Sequence, residues 1–173
     1  MLLQWSAPEY MPHSFQVSGL SGTVGHKQTG NCFDLTKQVA DGFVGMQELS
    51  KGLFLVQSEM DFKQETELCE EYSKRSLFQL SFCMNGICEW DYQEKRGEHY
   101  QLSPTQCSLQ CGTFSKCVSH FSSEQPYRTL SISLEQERFP SLSEDLEAAH
   151  LIRRDDKICT HVFSTTPEIR LVL

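Results

Sequence analysis

Leu77-Phe78-Gln79-Leu80-Ser81-Phe82-Cys83-Met84-Asn85-Gly86 is the stretch on which the fold reading turns. Its apolar residues recur at every second position. Phe78, Leu80, Phe82 and Met84 therefore fall on one side of an extended segment and Gln79, Ser81 and Cys83 on the other, the period of a strand. The run stops at Asn-Gly, a pair that tolerates the positive φ of a two-residue hairpin. Past it the alternation resumes, with Cys88, Trp90 and Tyr92 on one side and Glu89 and Asp91 on the other. A second turn at Glu94-Lys95-Arg96-Gly97-Glu98 leads into Tyr100 and Leu102, so the spacing predicts a meander of hairpins.

The same rhythm extends in both directions. Upstream, Leu53, Leu55 and Phe62 open the strand region just after Gly52. Downstream, Cys107, Leu109 and Cys111 alternate, Gly112 permits a bend, and Cys117 to Phe121 makes another short strand. In Tyr127 to Leu134, Leu130, Ile132 and Leu134 share a face. Short strands separated by turn chemistry at this spacing indicate a sandwich or a barrel. Residues 1–42 hold much of the Gly and Pro, including Ser18-Gly19-Leu20-Ser21-Gly22, and read as an irregular arm with one short helix near Asp34 to Ala40. Residues 43–140 form the barrel, and 141–173 a helical segment. In that segment Ser143 caps a short helix bearing Leu146, Ala149 and Ile152, and Thr166-Pro167-Glu168 starts a second one. The second helix has a start signal and no stop signal, which predicts that the natural polypeptide continues past Leu173.

Composition narrows the function. Fifteen Lys and Arg against 23 Asp and Glu give a net charge of -8, and the basic pairs Lys74-Arg75, Lys95-Arg96 and Arg153-Arg154 are scattered. Nucleic-acid binding relies on a concentrated basic face, so contact with DNA is expected only through a segment absent here. No apolar run reaches the roughly 20 residues of a membrane helix, and the N-terminus lacks the pattern of a signal peptide, so the expected location is cytoplasmic. In a reducing compartment the eight cysteines are expected to be free thiols packed as small apolar side chains.

Three constellations carry candidate chemistry. The aromatic set Phe78, Phe82, Trp90, Tyr92 and Tyr100, with Phe114 and Tyr127 nearby, could line a barrel that encloses a flat ligand, with Arg128 as partner for a carboxylate or phenolate. The plain alternative is that the rings only fill the core. Cys107, Cys111 and Cys117 could hold a metal or sense redox state, but strand spacing puts Cys107 and Cys111 on one face about 13 Å apart, unlike a zinc knuckle. His99, after Glu98, could bond a ligand. The six histidines show no two-apart pair with a following carboxylate, and there is no Gly-x-Ser-x-Gly elbow, phosphate loop or His-Glu-x-x-His. Catalysis is therefore not expected, and no catalytic residue or resident cofactor is assigned.

Leu77 to Gly86 resembles the first barrel hairpin of AraC-type transcription regulators, in particular the branch of the pyochelin regulator, which senses ferric siderophores. Gly52-Leu53-Phe54-Leu55, Leu130-Ser131-Ile132-Ser133-Leu134 and Ser164-Thr165-Thr166-Pro167-Glu168-Ile169-Arg170 resemble that branch as well. The resemblance implies a cupin-like β-barrel of the jelly-roll type with an arm and short C-terminal helices. It also implies a small effector, such as a ferric siderophore, and a homodimer joined to a C-terminal helix-turn-helix domain that touches DNA. The leading expectation is thus an effector-binding regulatory domain. A cysteine-based metal or redox sensor is the second reading and a cupin-type enzyme the third.

Overall fold

The computed structural model describes residues 2–3, 14–17, 32–34, 40–71, 76–92, 97–113, 116–152 and 158–170. Its strands are β1 (Leu2–Leu3), β2 (Ser14–Val17), β3 (Cys32–Asp34), β4 (Ala40–Ser50), β5 (Leu53–Phe62), β6 (Thr66–Glu71), β7 (Ser76–Asn85), β8 (Cys88–Tyr92), β9 (His99–Leu102), β10 (Gln106–Thr113), β11 (Lys116–Phe121), β12 (Tyr127–Glu135) and β13 (Ile158–Ser164). Two α-helices, α1 (Pro140–Ala148) and α2 (Pro167–Arg170), flank β13. The strands form a six-stranded sheet in the order β1-β2-β6-β11-β8-β9 and a seven-stranded sheet in the order β13-β10-β7-β12-β5-β4-β3. Every pairing in both sheets is antiparallel.

From β5 to β12 the chain changes sheet at every step but one, β8 to β9. That is the winding of a jelly roll, and the expected cupin-like barrel is what forms. It also corrects the meander. β7 pairs with β10 and β12, whereas β8 pairs with β11 and β9, so Asn85-Gly86 is a corner between sheets and not a hairpin. The local signal survives, because Gly86 does adopt a φ of 77°. A Cβ there would stand 2.8 Å from the Pro126 carbonyl oxygen, and the Asn85 amide donates to that same oxygen at 2.7 Å. The tight pair thus clamps the corner to the start of β12 instead of closing a ribbon.

The boundaries read from the sequence also shift. Ser14–Val17 and Cys32–Asp34, inside the stretch read as an irregular arm, pair with β6 and β4 respectively. β4 begins at Ala40, where Gly42 and Gly45 interrupt the alternation that would have revealed it. Asp34 ends a strand and Ala40 opens one; residues 35–39, where a short helix was expected, lie outside the described residues. Ile158–Ser164, inside the segment read as helical, pairs along β10 as an edge strand. Its Ile158, Thr160 and Val162 are β-branched at alternate positions, a signature that helix-oriented reading passed over. α1 starts at Pro140, three residues before Ser143, since proline is preorganised for the first helical position. The Thr166 cap is as expected: its hydroxyl accepts from the Ile169 N–H at 3.4 Å. Thr165 ties this end down, its backbone N–H and its hydroxyl both donating to the Thr105 carbonyl at 2.8 Å.

Two apolar clusters lie on opposite faces of the large sheet. Between the sheets, Met60, Phe62, Leu77, Cys83 and Ile158 pack with Leu68, Cys88, Trp90, Tyr92, Leu102, Cys117 and Phe121 of the small sheet. On the far side, Phe78 and Cys111 pack with Ile152, against Leu109, Leu134, Cys159 and the α1 residues Leu142 and Leu146. Both faces of β7 are therefore buried, and its alternation marks two different cores.

Candidate functional site

The cross-strand register fixes what faces the interior. Directly paired residues point to the same side of a sheet, so the interior residues Leu77 and Cys83 carry Gln79 and Ser81 inward with them. Ser81 pairs with Ser108 of β10 and with Ser131 of β12, and Gln79 with Gln110 and Ser133. Beyond Gln110 and Ser108 lie Thr160 and Val162 of β13. The inner face of the large sheet is thus a band of small polar side chains, most of them buried: Ser108 is 0% exposed, Ser131 5% and Ser81 6%. Within it the Ser131 hydroxyl donates to Ser81 Oγ at 2.8 Å and Gln79 Nε2 donates to the same oxygen at 3.2 Å.

Facing this band, the small sheet supplies an aromatic wall. Trp90 and Tyr92 alternate on β8, and Tyr100 of β9 pairs with Trp90. Trp90 stacks on Tyr100 at 5.6 Å between centroids, and Tyr92 meets Tyr100 edge-on at 5.7 Å. The two walls touch at Thr160, whose hydroxyl lies 3.5 Å from the Tyr92 hydroxyl. Burial raises the Tyr92 phenol well above its ordinary range, and Cys117 adds to the rise. Thr160 opposes it, as does the Trp90 indole N–H, which lies near the hydroxyl but outside hydrogen-bonding geometry. Burial also raises Tyr100, whose hydroxyl donates to Glu98. Both phenols are neutral at physiological pH, Tyr92 accepting from the Thr160 hydroxyl and Tyr100 donating to Glu98.

Among the described residues two buried side-chain polar atoms have no hydrogen-bond partner, Trp90 Nε1 and Ser108 Oγ. An unsatisfied buried donor or acceptor costs about 1–3 kcal/mol, and native interiors seldom leave one without a reason. The indole can only donate, while the hydroxyl can donate and accept.

The sequence-predicted site divides accordingly. Trp90, Tyr92 and Tyr100 come together in the interior. Phe78 and Phe82 do not join them: they lie on the other face of β7, Phe78 1% exposed beneath α1 and Phe82 7% exposed with Leu130 and Cys107 as its cross-strand neighbours. Arg128 is also outside, 2.9 Å from Glu59 and 54% exposed, so it is no partner for a ligand in the interior. His99 sits on the outer face of the small sheet, its Nδ1 3.1 Å from Asp91. Phe114 lies outside the described residues. The three cysteines of the second reading do not converge: Cys107 and Cys111 face outward from β10, and Cys117 faces inward from β11. Among the described residues no group of three His, Cys, Asp or Glu side chains is placed to hold a metal ion.

What sequence reasoning missed was the polar band. The signal was present as small polar residues two apart on three separate strands: Gln79 and Ser81, Ser108 and Gln110, Ser131 and Ser133. Cys83, on the same face, is pushed up to about 11 by burial, and Cys111, on the other, to about 12 by burial and by neighbouring Cys159. Raised folded-state values mean that the protonated thiol is favoured by folding. That stability is complete below the ordinary value of 9.0 and is lost as pH climbs through the folded values. The denaturant midpoint is thus expected to be flat near neutrality and to fall from about pH 9 upward; an unchanged midpoint at about pH 11 would contradict the burial of these thiols.

The family model for the regulatory protein PchR N-terminal domain matches residues 41–173. The chain belongs to this family. It is a regulatory N-terminal domain of an AraC-type transcription regulator. Among curated proteins none matches the chain. In fold this PchR-type domain is similar to the AraC-like transcriptional activator CuxR, with 10% identity and a TM-score of 0.48 over 78% of this chain and 44% of that one. It is similar also to the pirin YhhW of Escherichia coli in complex with nickel(II), with 11% identity and a TM-score of 0.47 over 82% of this chain and 55% of that one. Procruciferin, an 11S globulin of Brassica napus, shows 12% identity and a TM-score of 0.46 over 80% of this chain and 40% of that one. The PchR-type domain spans about half the length of these proteins or less. Likenesses this distant add nothing to what the topology and the family establish. Among the described residues no helix is long and apolar enough to cross a membrane.

Proposed function

We propose that this domain senses a small effector held between the aromatic wall and the serine-glutamine band, and passes the signal to a DNA-binding domain elsewhere in the polypeptide. The observation that carries the reading is the pair of unpartnered interior groups, Trp90 Nε1 and Ser108 Oγ. Membership in the PchR family favours a ferric siderophore or a related aromatic metabolite, and hence an iron-responsive regulator working as a dimer. Differential affinity for two arrangements of the domain is what would couple binding to regulation. The tie from Thr165 to Thr105 places the start of α2 against the turn before β10, the strand that carries Ser108. A shift of that strand would reach the C-terminal helix directly.

Titration of the domain with ferric siderophores and iron-free phenolic metabolites, followed by tryptophan fluorescence, tests the proposal. A true effector is expected to quench Trp90, and Trp90→Phe to remove that change. Ser108→Ala separates binding from folding. It is expected to stabilise the ligand-free domain by about 1 kcal/mol, by deleting an unsatisfied hydroxyl, and to weaken effector binding about tenfold, the equivalent of one lost hydrogen bond of about 1.4 kcal/mol. Equal affinity in Ser108→Ala, Trp90→Phe and the parent would place the effector elsewhere.

A further inference from the structure

The geometry points to Cys111 and Cys159 as a dithiol that a hydroperoxide oxidises to a cross-strand disulfide, stapling the edge strand β13 to β10. Cys111 and Cys159 are directly opposed in the β10–β13 ladder, on the outer face of the large sheet and away from the proposed effector space. Opposed residues in antiparallel strands have Cα atoms roughly 4.5–5.5 Å apart, inside the roughly 4.4–6.8 Å that a disulfide spans. Both are reduced in the structure; Cys111 is 3% exposed and Cys159 half-buried.

The pair is not symmetric. Cys159 Sγ lies 3.1 Å from His161 Nε2, and that nitrogen lies 2.5 Å from the Leu151 carbonyl oxygen. The Cys159 thiol donates to that same carbonyl oxygen at 3.3 Å, so both side chains gather at one acceptor. The thiolate is the form that attacks peroxides, and the more accessible sulfur meets the peroxide first. Cys159, half-buried, is therefore the attacking residue and Cys111, 3% exposed, the resolving one.

The chemistry balances with the peroxide as oxidant. The Cys159 thiolate attacks one peroxide oxygen; the S–O bond forms, the O–O bond breaks, and the departing hydroxide takes a proton to become water. Cys111 sulfur then attacks Cys159 sulfur; the S–S bond forms, the S–O bond breaks, and the Cys111 proton leaves with the hydroxide as a second water. Two thiols are oxidised and one peroxide is reduced.

The test treats the reduced, full-length chain with hydrogen peroxide, blocks remaining thiols, and maps the peptides by mass. The expected product joins the Cys111 and Cys159 peptides and is lighter by two hydrogen atoms. Cys111→Ser is expected to leave Cys159 as a sulfenic acid that a 1,3-diketone captures. In the oxidised chain, amide exchange along Ile158–Ser164 should slow about tenfold, because the edge strand can no longer fray. A disulfide joining other cysteines, or oxidation of Cys159 beyond the sulfenic stage with Cys111 still reduced, overturns the proposal. The parent-chain map decides the matter even if a variant fails to fold.

Discussion

Phe78→Ala is expected to lower the unfolding free energy by about 3–5 kcal/mol, the range for emptying a fully buried aromatic site. Phe78 is 1% exposed and packs with Cys111 and Ile152, under Leu142 and Leu146 of α1. The loss should therefore be accompanied by detachment of α1, seen as faster amide exchange in residues 140–148. Its interest lies in what should not change. Because Phe78 belongs to the outer cluster, the milder Phe78→Leu should leave effector affinity at the parental value while still reducing stability. A Phe78→Leu domain that folds normally but binds the effector poorly would mean that the two faces of β7 have been assigned the wrong way round.

The second large effect is expected at Gly42. Its φ is +135°, a region that residues with a Cβ rarely enter, and a Cβ built there would stand 2.0 Å from the Glu59 carbonyl oxygen and 2.9 Å from its carbon. Both atoms are backbone and cannot swing aside. Gly42→Ala must displace β4 from β5 near Met60, whose side chain belongs to the inner cluster, so a loss of about 3 kcal/mol is expected. Gly45→Ala is the matched control in the same strand. There a Cβ meets nothing nearer than 3.5 Å, and the change should stay under about 1 kcal/mol. Comparable losses at the two positions, measured by denaturant unfolding, would show that the close approach at Gly42 is not the cause.

Much of the architecture was legible in the sequence because strand periodicity is a property of single segments. β7, β8, β10 and β12 fall close to where their alternation puts them, and the Thr166 cap is where its side-chain chemistry requires. Two things were not legible, for the same reason. Alternation tells that the two faces of a strand differ, not which of them looks into the barrel. The usual assumption sends the greasier face inward, and in β7 that is Phe78, Leu80 and Phe82. Here α1 and Ile152 cover that face from outside, leaving Gln79 and Ser81 to the interior. Likewise Asn85-Gly86 demands a tight turn but cannot specify whether the next strand returns alongside or departs into the other sheet. Pairing partners such as Pro126 and Tyr127, distant in sequence, make that choice. Trp90, Tyr92 and Tyr100 were recognisable because aromatic residues announce themselves; serines spaced two apart on three strands do not.

The winding of the jelly roll has a consequence for synthesis. β12 seats itself between β5 and β7, and β10 between β7 and β13, so each central strand must hold a place for a neighbour made much later. Pairings of this kind form slowly, since distant segments must meet before any bond rewards them. A nascent chain halted just before Ile158 would present β10 as a raw edge, with Cys111 no longer covered by Cys159. Completion of the large sheet therefore waits for β13, and until that strand is made the edge of β10 stays open to mispairing.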